Sequence, residues 1–243
     1  MEAEGWPEWL MMRFADVIPE ELGERIFEKW DRTVSLGLMF PKEEKQRSKT
    51  PAVHLGGWML YGSEARITAD SLQAGLPEPQ RTQVLESMDD MLGDIKAALF
   101  PITERIMHHA APEQERSQAK AHAFMRHWCR ETFEKRPNLD FGPLFFTMAI
   151  KEGASERIHV DWNDNLRKFA LVWVLGNFVG GLFCSSQLGI RVPVRGRSLL
   201  AVRTRLLGHN ATLVGEGRRL VFTCFTDSVI FEKALEGHDY AYF

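Results

Sequence analysis

Cysteine is scarce in this chain. Cys129, Cys184 and Cys224 are an odd set with no CxxC pair, which speaks against a disulfide-stapled secreted scaffold and for a reducing compartment. A basic excess is also missing. The net charge is −3, which argues against a broadly basic, non-specific nucleic-acid binder but leaves local patches open. Long apolar runs are absent too. The most apolar stretch, 171–184, is too short and too rich in glycine to span a bilayer. The opening MEAEGWPEWLMMRF shows no basic segment ahead of an apolar one, so no signal peptide is expected. The expectation is a nuclear or cytoplasmic protein with no membrane contact. There is no internal repeat and no low-complexity tract. What remains is an ordinary globular composition, 44% hydrophobic and 26% charged over 243 residues.

The two halves differ in periodicity. PEELGERIFEKW (19–30) opens with proline and acids, as helices prefer. In 77–100, Val84, Met88, Met91, Leu92, Ile95 and Leu99 lie on one helical face. A third helix is predicted over 112–135, with Ala121, Phe124, Met125, Trp128 and Phe133 as its stripe. After the turn RPNL (136–139), short runs rich in Val, Ile, Phe and Thr take over: FGPLFFTMAI, RIHVDW, KFALVWVL, GGLFCS, GIRVPV, SLLAVRT and RRLVFTCFTDSVIF. Seven or eight strands at this spacing predict a sandwich or a jelly-roll barrel. The chain is read as one α+β domain, 1–243. A double-stranded β-helix (cupin-like) core over 137–243 is buttressed by N-terminal helices over 1–136. The polar segment 41–50 is expected to be a loop.

The stretch RIHVDWNDN (157–165) carries the chemistry. Polar groups on a strand are costly to bury unless something pairs with them. His159 and Asp161 are two residues apart, so on a strand they share a face and can reach one ion. Two imidazoles and one carboxylate suit Fe(II) and leave open coordination positions. That arrangement needs a second histidine later in the chain, and His209 in LLGHNATL supplies it. Arg219 follows ten residues on. Its parity groups it with Val221, Thr223, Phe225 and Asp227, and a buried arginine there calls for an anion such as a dicarboxylate. Arg218 is the alternative, since alternation cannot turn both inward. An H-x-D triplet alone is common by chance; the β-rich context, the late histidine and the arginine give it weight.

These residues resemble a family. The order His159-x-Asp161, His209, Arg219, with Gly180–Phe183 between, is similar to the Fe(II)- and 2-oxoglutarate-dependent dioxygenases. The steps of fifty and ten residues, and the lead-in FTMAIKEG (146–153), resemble the TET/JBP branch of nucleic-acid base oxygenases. The resemblance covers about 138–230. It implies Fe(II) on His159, Asp161 and His209, 2-oxoglutarate as co-substrate with its far carboxylate on Arg219, and O2 as oxidant. It implies a DNA partner with a flipped methylated base, held by Phe225 as stacking surface and by Asp164 and Asp227 as polar readers. Asp227 stands where the branch can have a histidine, so 5-methylcytosine and N6-methyladenine both remain open, the first preferred.

Backbone contacts are sought among seven arginines between 190 and 219, set against one acid, Glu216. Arg191, Arg195 and Arg197 are the candidates; solvated strand faces are the bland account. Phe225 is equally readable as core and Asp164 as a turn aspartate. Trp162 packs either beside the site or against a helix. His108, His109, His122 and His127 have no carboxylate or cysteine frame in sequence and are read as helix residues, and the cysteines as small core hydrophobes. The expected protein is a monomer. Two rivals stand beside this reading: the same chemistry on a small molecule or a protein side chain, and a jelly-roll binding protein without catalysis. A structural zinc site would want a fourth ligand, and no cysteine lies near the motif.

Overall fold

The computed structural model describes residues 9–41, 48, 50–59 and 64–235. Most of the segment expected to be a polar loop, 41–50, lies outside these residues, as does His238. The described chain opens with strand β1 (Met11–Phe14) and helix α1 (Glu20–Ser35). Strands β2 (Val53–Trp58) and β3 (Arg66–Ile67), the short α2 (Ala69–Leu72), and the long α3 (Gln80–Ala110) and α4 (Pro112–Lys135) follow. After a 3-10 turn at Pro137–Leu139 come β4 (Thr147–Glu152), β5 (Ala170–Leu175), β6 (Phe178–Gly180), β7 (Phe183–Ser185) and β8 (Ile190–Val192). The chain continues through β9 (Ser198–Val202), β10 (His209–Ala211), β11 (Val214–Gly217), β12 (Leu220–Phe225) and α5 (Ser228–Leu235). Among the described residues no helix is long and apolar enough to cross a membrane.

The major sheet has seven strands in the order β1-β9-β5-β12-β4-β2-β3, and its described pairings are antiparallel. A three-stranded sheet, β10-β7-β8, and a ribbon, β11-β6, complete the β structure. Strand alternation gives the major sheet two different faces. Leu220, Phe222 and Cys224 of β12, Leu171 and Trp173 of β5, and Met148 and Ile150 of β4 turn to one side. There they join a large core with Ile26 and Trp30 of α1 and the predicted stripe of α3. Each fully buried side chain of this size contributes about 1.5–3 kcal/mol of burial, which makes this face the larger source of stability. On the other side, Val174, Leu200, Val202 and Val221 meet Phe183 and Leu207 in a smaller cluster. That cluster fills only part of the face, and a polar pocket takes the rest.

The structure departs from the sequence reading in several places. The segment 1–136 is more than a helical brace, because β1, β2 and β3 join the major sheet. VHLGGW hides its strand character behind a Gly pair, and the other two strands are too short to show alternation. α3 does not end at Phe100. It runs through Pro101 to Ala110, because buried Thr103 and Met107 continue its apolar face and offset the hydrogen bond that proline removes. RIHVDW is not a regular strand; one isolated bridge, His159 to His209, anchors it. SVIF is helical, within α5, since its apolar residues Ile230, Phe231 and Ala234 pack on one helical side. The strand predicted from Phe141 begins only at Thr147, after turns at Gly142 and its neighbours.

Candidate metal centre and its pocket

His159 and His209 are clipped together by their backbones: His159 N donates to His209 O at 3.0 Å and His209 N to His159 O at 2.9 Å. β10 continues this pairing onto β7, and the Phe183 ring stacks on His209 at 5.5 Å and 19°. The two imidazoles stand 4.4 Å apart. Asp161 is placed by its own N–H on Thr204 O and by a turn in which Asp164 N donates to Asp161 O. The same-face geometry expected of a strand is thus produced by one bridge and one turn.

Each histidine has its Nδ1 within reach of the carbonyl two residues earlier, 2.8 Å to Arg157 O and 2.9 Å to Leu207 O. A carbonyl only accepts, so both Nδ1 atoms carry the proton and both Nε2 atoms present a lone pair. Those lone pairs face Asp161. Oδ1 is 3.8 Å from His159 Nε2 and Oδ2 is 3.7 Å from His209 Nε2. These separations exceed hydrogen-bonding distance and leave room for an ion. The three ligand atoms lie within 4.8 Å of one another. Two neutral imidazoles and a carboxylate fit a divalent first-row metal with open positions, and carbonyl-anchored tautomers are the usual support of such ligands. Cys184 neighbours the site in sequence register but donates weakly to Leu182 O at 3.5 Å, outside the triad.

A cavity of about 330 Å³ extends from these ligands along the sheet, an ordinary size for a small-ligand site. Its two ends differ in charge. At one end lies Arg219, 6% exposed. Its Nη1 donates to Gly153 O at 2.9 Å, while its buried Nε has no partner. Burial pulls its pKa down to about 10, and no acid among the described residues offsets it. Gly181 makes the space: a Cβ there would sit 2.7 Å from Arg219 Cδ, and its φ of +61° suits glycine. Arg218 faces the opposite way, bonded to Asp31 and Glu152 and lying over Phe27. Alternation has therefore sent one arginine to the pocket and the other to α1.

Asp164, Phe225 and Asp227 gather at the other end. Asp164 Oδ2 accepts from Thr204 Oγ1 at 2.6 Å, and Asp227 Oδ2 from Met59 N at 3.2 Å. The two aspartates are bridged by backbone. Burial raises the Asp227 carboxyl to about 6, against the lowering pull of Met59 N–H and His54. Phe225 is half-buried and outside the core, forming a wall of the pocket. Among the lining residues that sequence reasoning missed are His54, Trp58 and Lys151. His54 and Trp58 come from β2, and His54 meets Trp58 at 5.6 Å and Phe225 at 6.5 Å. His54 is steadied by Asp70, whose Oδ2 accepts from its backbone N and lies 3.5 Å from its Nδ1. Lys151, on the pocket face of β4, donates to Ser48 Oγ. The available signal was polar His54 between apolar Val53 and Leu55, an alternation that Gly56 and Gly57 break off.

The arginine run does not form one patch. Arg203 is buried over Phe169 and bonds to backbone carbonyls, and Arg197 pairs with Asp16 at 3.0 Å. Arg195 and Arg197 precede β9 at the end where Ser198 pairs with Val174, which is the Arg219 end of the sheet, away from Phe225 and Asp227. Arg191 is exposed on β8. His122 does have a carboxylate frame, contrary to expectation. Asp140 reaches it at 2.7 Å from the end of the 3-10 turn, and this ties α4 to the segment that leads into β4. Cys129 and Cys224 are buried, and burial pushes the Cys129 thiol up to about 12, consistent with inert core residues.

No protein-family model and no curated protein matches the chain. Solved structures do. NgTET1 in complex with 5mC DNA aligns with a TM-score of 0.61 at 14% identity, covering 90% of this chain and 72% of that one. A Pseudomonas putida prolyl-4-hydroxylase aligns at 0.43 and 14%, covering 90% and 93%. A Trichoplax adhaerens prolyl hydroxylase, in complex with a hypoxia inducible factor peptide fragment, aligns at 0.45 and 8%, covering 94% and 88%. At 14% identity the first likeness is one of fold, and below a TM-score of 0.5 the other two carry no weight.

Proposed function

We propose that this protein is an Fe(II)- and 2-oxoglutarate-dependent dioxygenase that oxidises the methyl group of a methylated DNA base, 5-methylcytosine first. The major sheet and the β10-β7-β8 sheet facing it are read as a double-stranded β-helix. One observation carries the reading: a His–Asp–His cluster with both Nε2 lone pairs converging opens onto the same cavity as a buried arginine that, among the described residues, has no acid beside it.

His159, Asp161 and His209 would hold the iron. When bound, iron and 2-oxoglutarate supply the oxidising chemistry, in which one oxygen atom of O2 ends in succinate, the other in the hydroxymethyl product, and CO2 leaves. The chain's own part is placement. Arg219 binds the far carboxylate of the co-substrate. Val172, Phe183 and Val221 keep the middle of the cavity apolar, which restrains water there. Phe225 offers a ring face to a flipped base. Asp164 and Asp227 offer acceptors to an exocyclic amino group, which cytosine and adenine both carry. The fold likeness to NgTET1, seen with 5mC DNA, supports the base rather than a side chain as substrate.

The test is incubation with ferrous iron, 2-oxoglutarate and duplexes bearing 5-methylcytosine or N6-methyladenine, read by succinate release and by mass spectrometry of the bases. Methyl oxidation that disappears in His159→Ala is expected. Succinate release indifferent to every methylated duplex would leave the iron chemistry and remove the base.

A further inference from the structure

We infer that Trp162, backed by Arg205, is a wedge that fills the gap left in a DNA duplex when the target base turns into the pocket. This rests on the reading of the pocket as a base-oxidising site. In the segment that carries the ligands, His159 and Asp161 point into the cavity, while Ile158 and Trp162 point out, 64% and 68% exposed. Leu166 adds a third exposed apolar side chain within nine residues. Exposed apolar surface this concentrated marks a surface that something covers.

Position singles out Trp162. It is flanked in sequence by Asp161 and Asn163, both of which line the cavity, so it stands on the rim. Arg205, next to the lining residue Thr204, holds its guanidinium 5.3 Å from the Trp162 ring centre. A flat aromatic carrying a stacked guanidinium matches a nucleobase face on one side and a phosphate on the other. The charge of the rim agrees. Arg157 and Arg167, five residues to either side of Trp162 in sequence, are exposed, whereas the acids of the segment turn inward: Asp161 and Asp164 line the cavity and Glu156 buries one carboxylate oxygen. The mouth thus shows cations and an aromatic ring outward and carboxylates inward, complementary to a polyanion whose base is received within. Apolar and aromatic wedges of this kind are a general means of holding an opened base step.

The test is binding, read by fluorescence anisotropy without iron, on a fully paired duplex and on the same duplex with one abasic site. The wild type is expected to bind the gapped duplex about tenfold tighter, the order of one aromatic–base stack. Trp162→Ala should bind both alike, and Trp162→Phe should recover most of the preference. Arg205→Ala should weaken both and lower the slope of log affinity against log salt. A wild type without gap preference, or a Trp162→Ala variant that keeps it, overturns the inference. So does a wild type that binds no duplex, which would give the rim to a protein partner. Gap preference without oxidation of any methylated base upholds the wedge and fails the pocket's reading.

Discussion

Two imidazoles with opposite histories reach the same state. His159 arrives on an irregular segment and His209 on a strand, yet each is anchored by a carbonyl two residues back. That local rule fixes the tautomer before any metal arrives. It was invisible in the sequence, although the residues themselves were plain from the His-x-Asp spacing and the late histidine. Asp227 was visible as a face-mate of Arg219 but its condition was not, because burial is set by Met59 and His54 from far upstream. Its carboxyl, raised to about 6, titrates above its unfolded value. The unfolded chain therefore holds fewer protons than the folded one between about pH 4 and 6, and stability falls as pH rises through that window. Asp227→Asn should raise stability by about 3 kcal/mol at pH 7.5 and by almost nothing at pH 3.5. Thermal unfolding of both proteins at the two pH values checks this, and an equal effect at both would be the wrong outcome.

At the scale of elements, strands with clean alternation were readable and short ones were not. KFALVWVL and RRLVFTCF declare a buried face, and both appear as β5 and β12. β2 does not declare itself, because Gly56 and Gly57 interrupt VHLGGW. The omission matters, since β2 brings His54 and Trp58 to the pocket. The Gly180–Gly181 turn was noticed as part of a resemblance, and its physical reason is the Arg219 side chain. An alanine at 181 would meet Arg219 Cδ and adopt a left-handed backbone, a strain of about 1–2 kcal/mol. Because the displaced atom belongs to the residue proposed to bind the co-substrate, Gly181→Ala should raise the dissociation constant for 2-oxoglutarate about tenfold or more and leave iron affinity within twofold. Calorimetric titration separates the two. Loss of iron binding alone would show that the turn serves the triad instead.

For the whole molecule, both ends of the chain build one sheet. β1 pairs with β9 and β2 with β4, so the expected division between a helical brace and a β core dissolves at the sheet. Long-range pairing of this kind leaves no local trace in sequence. The two faces were legible from parity: Leu220, Phe222 and Cys224 join the core on the helical side, and Arg219, Val221, Thr223, Phe225 and Asp227 line the cavity. The arginine run illustrates the converse. Seven residues of one charge lie close in sequence and scatter in space, because alternation and turns send them to α1, to the interior, to the pocket and to the surface.

The proposed activity requires one ferrous ion held by His159, Asp161 and His209 beside an anion held by Arg219. Anaerobic titration of the whole protein measures both at once. The prediction is one Fe(II) per chain, 2-oxoglutarate binding that strengthens when iron is present, no iron uptake by His209→Ala, and retained iron with lost 2-oxoglutarate binding in Arg219→Ala. Iron uptake by His209→Ala equal to the wild type, or 2-oxoglutarate binding indifferent to both iron and Arg219, would contradict it.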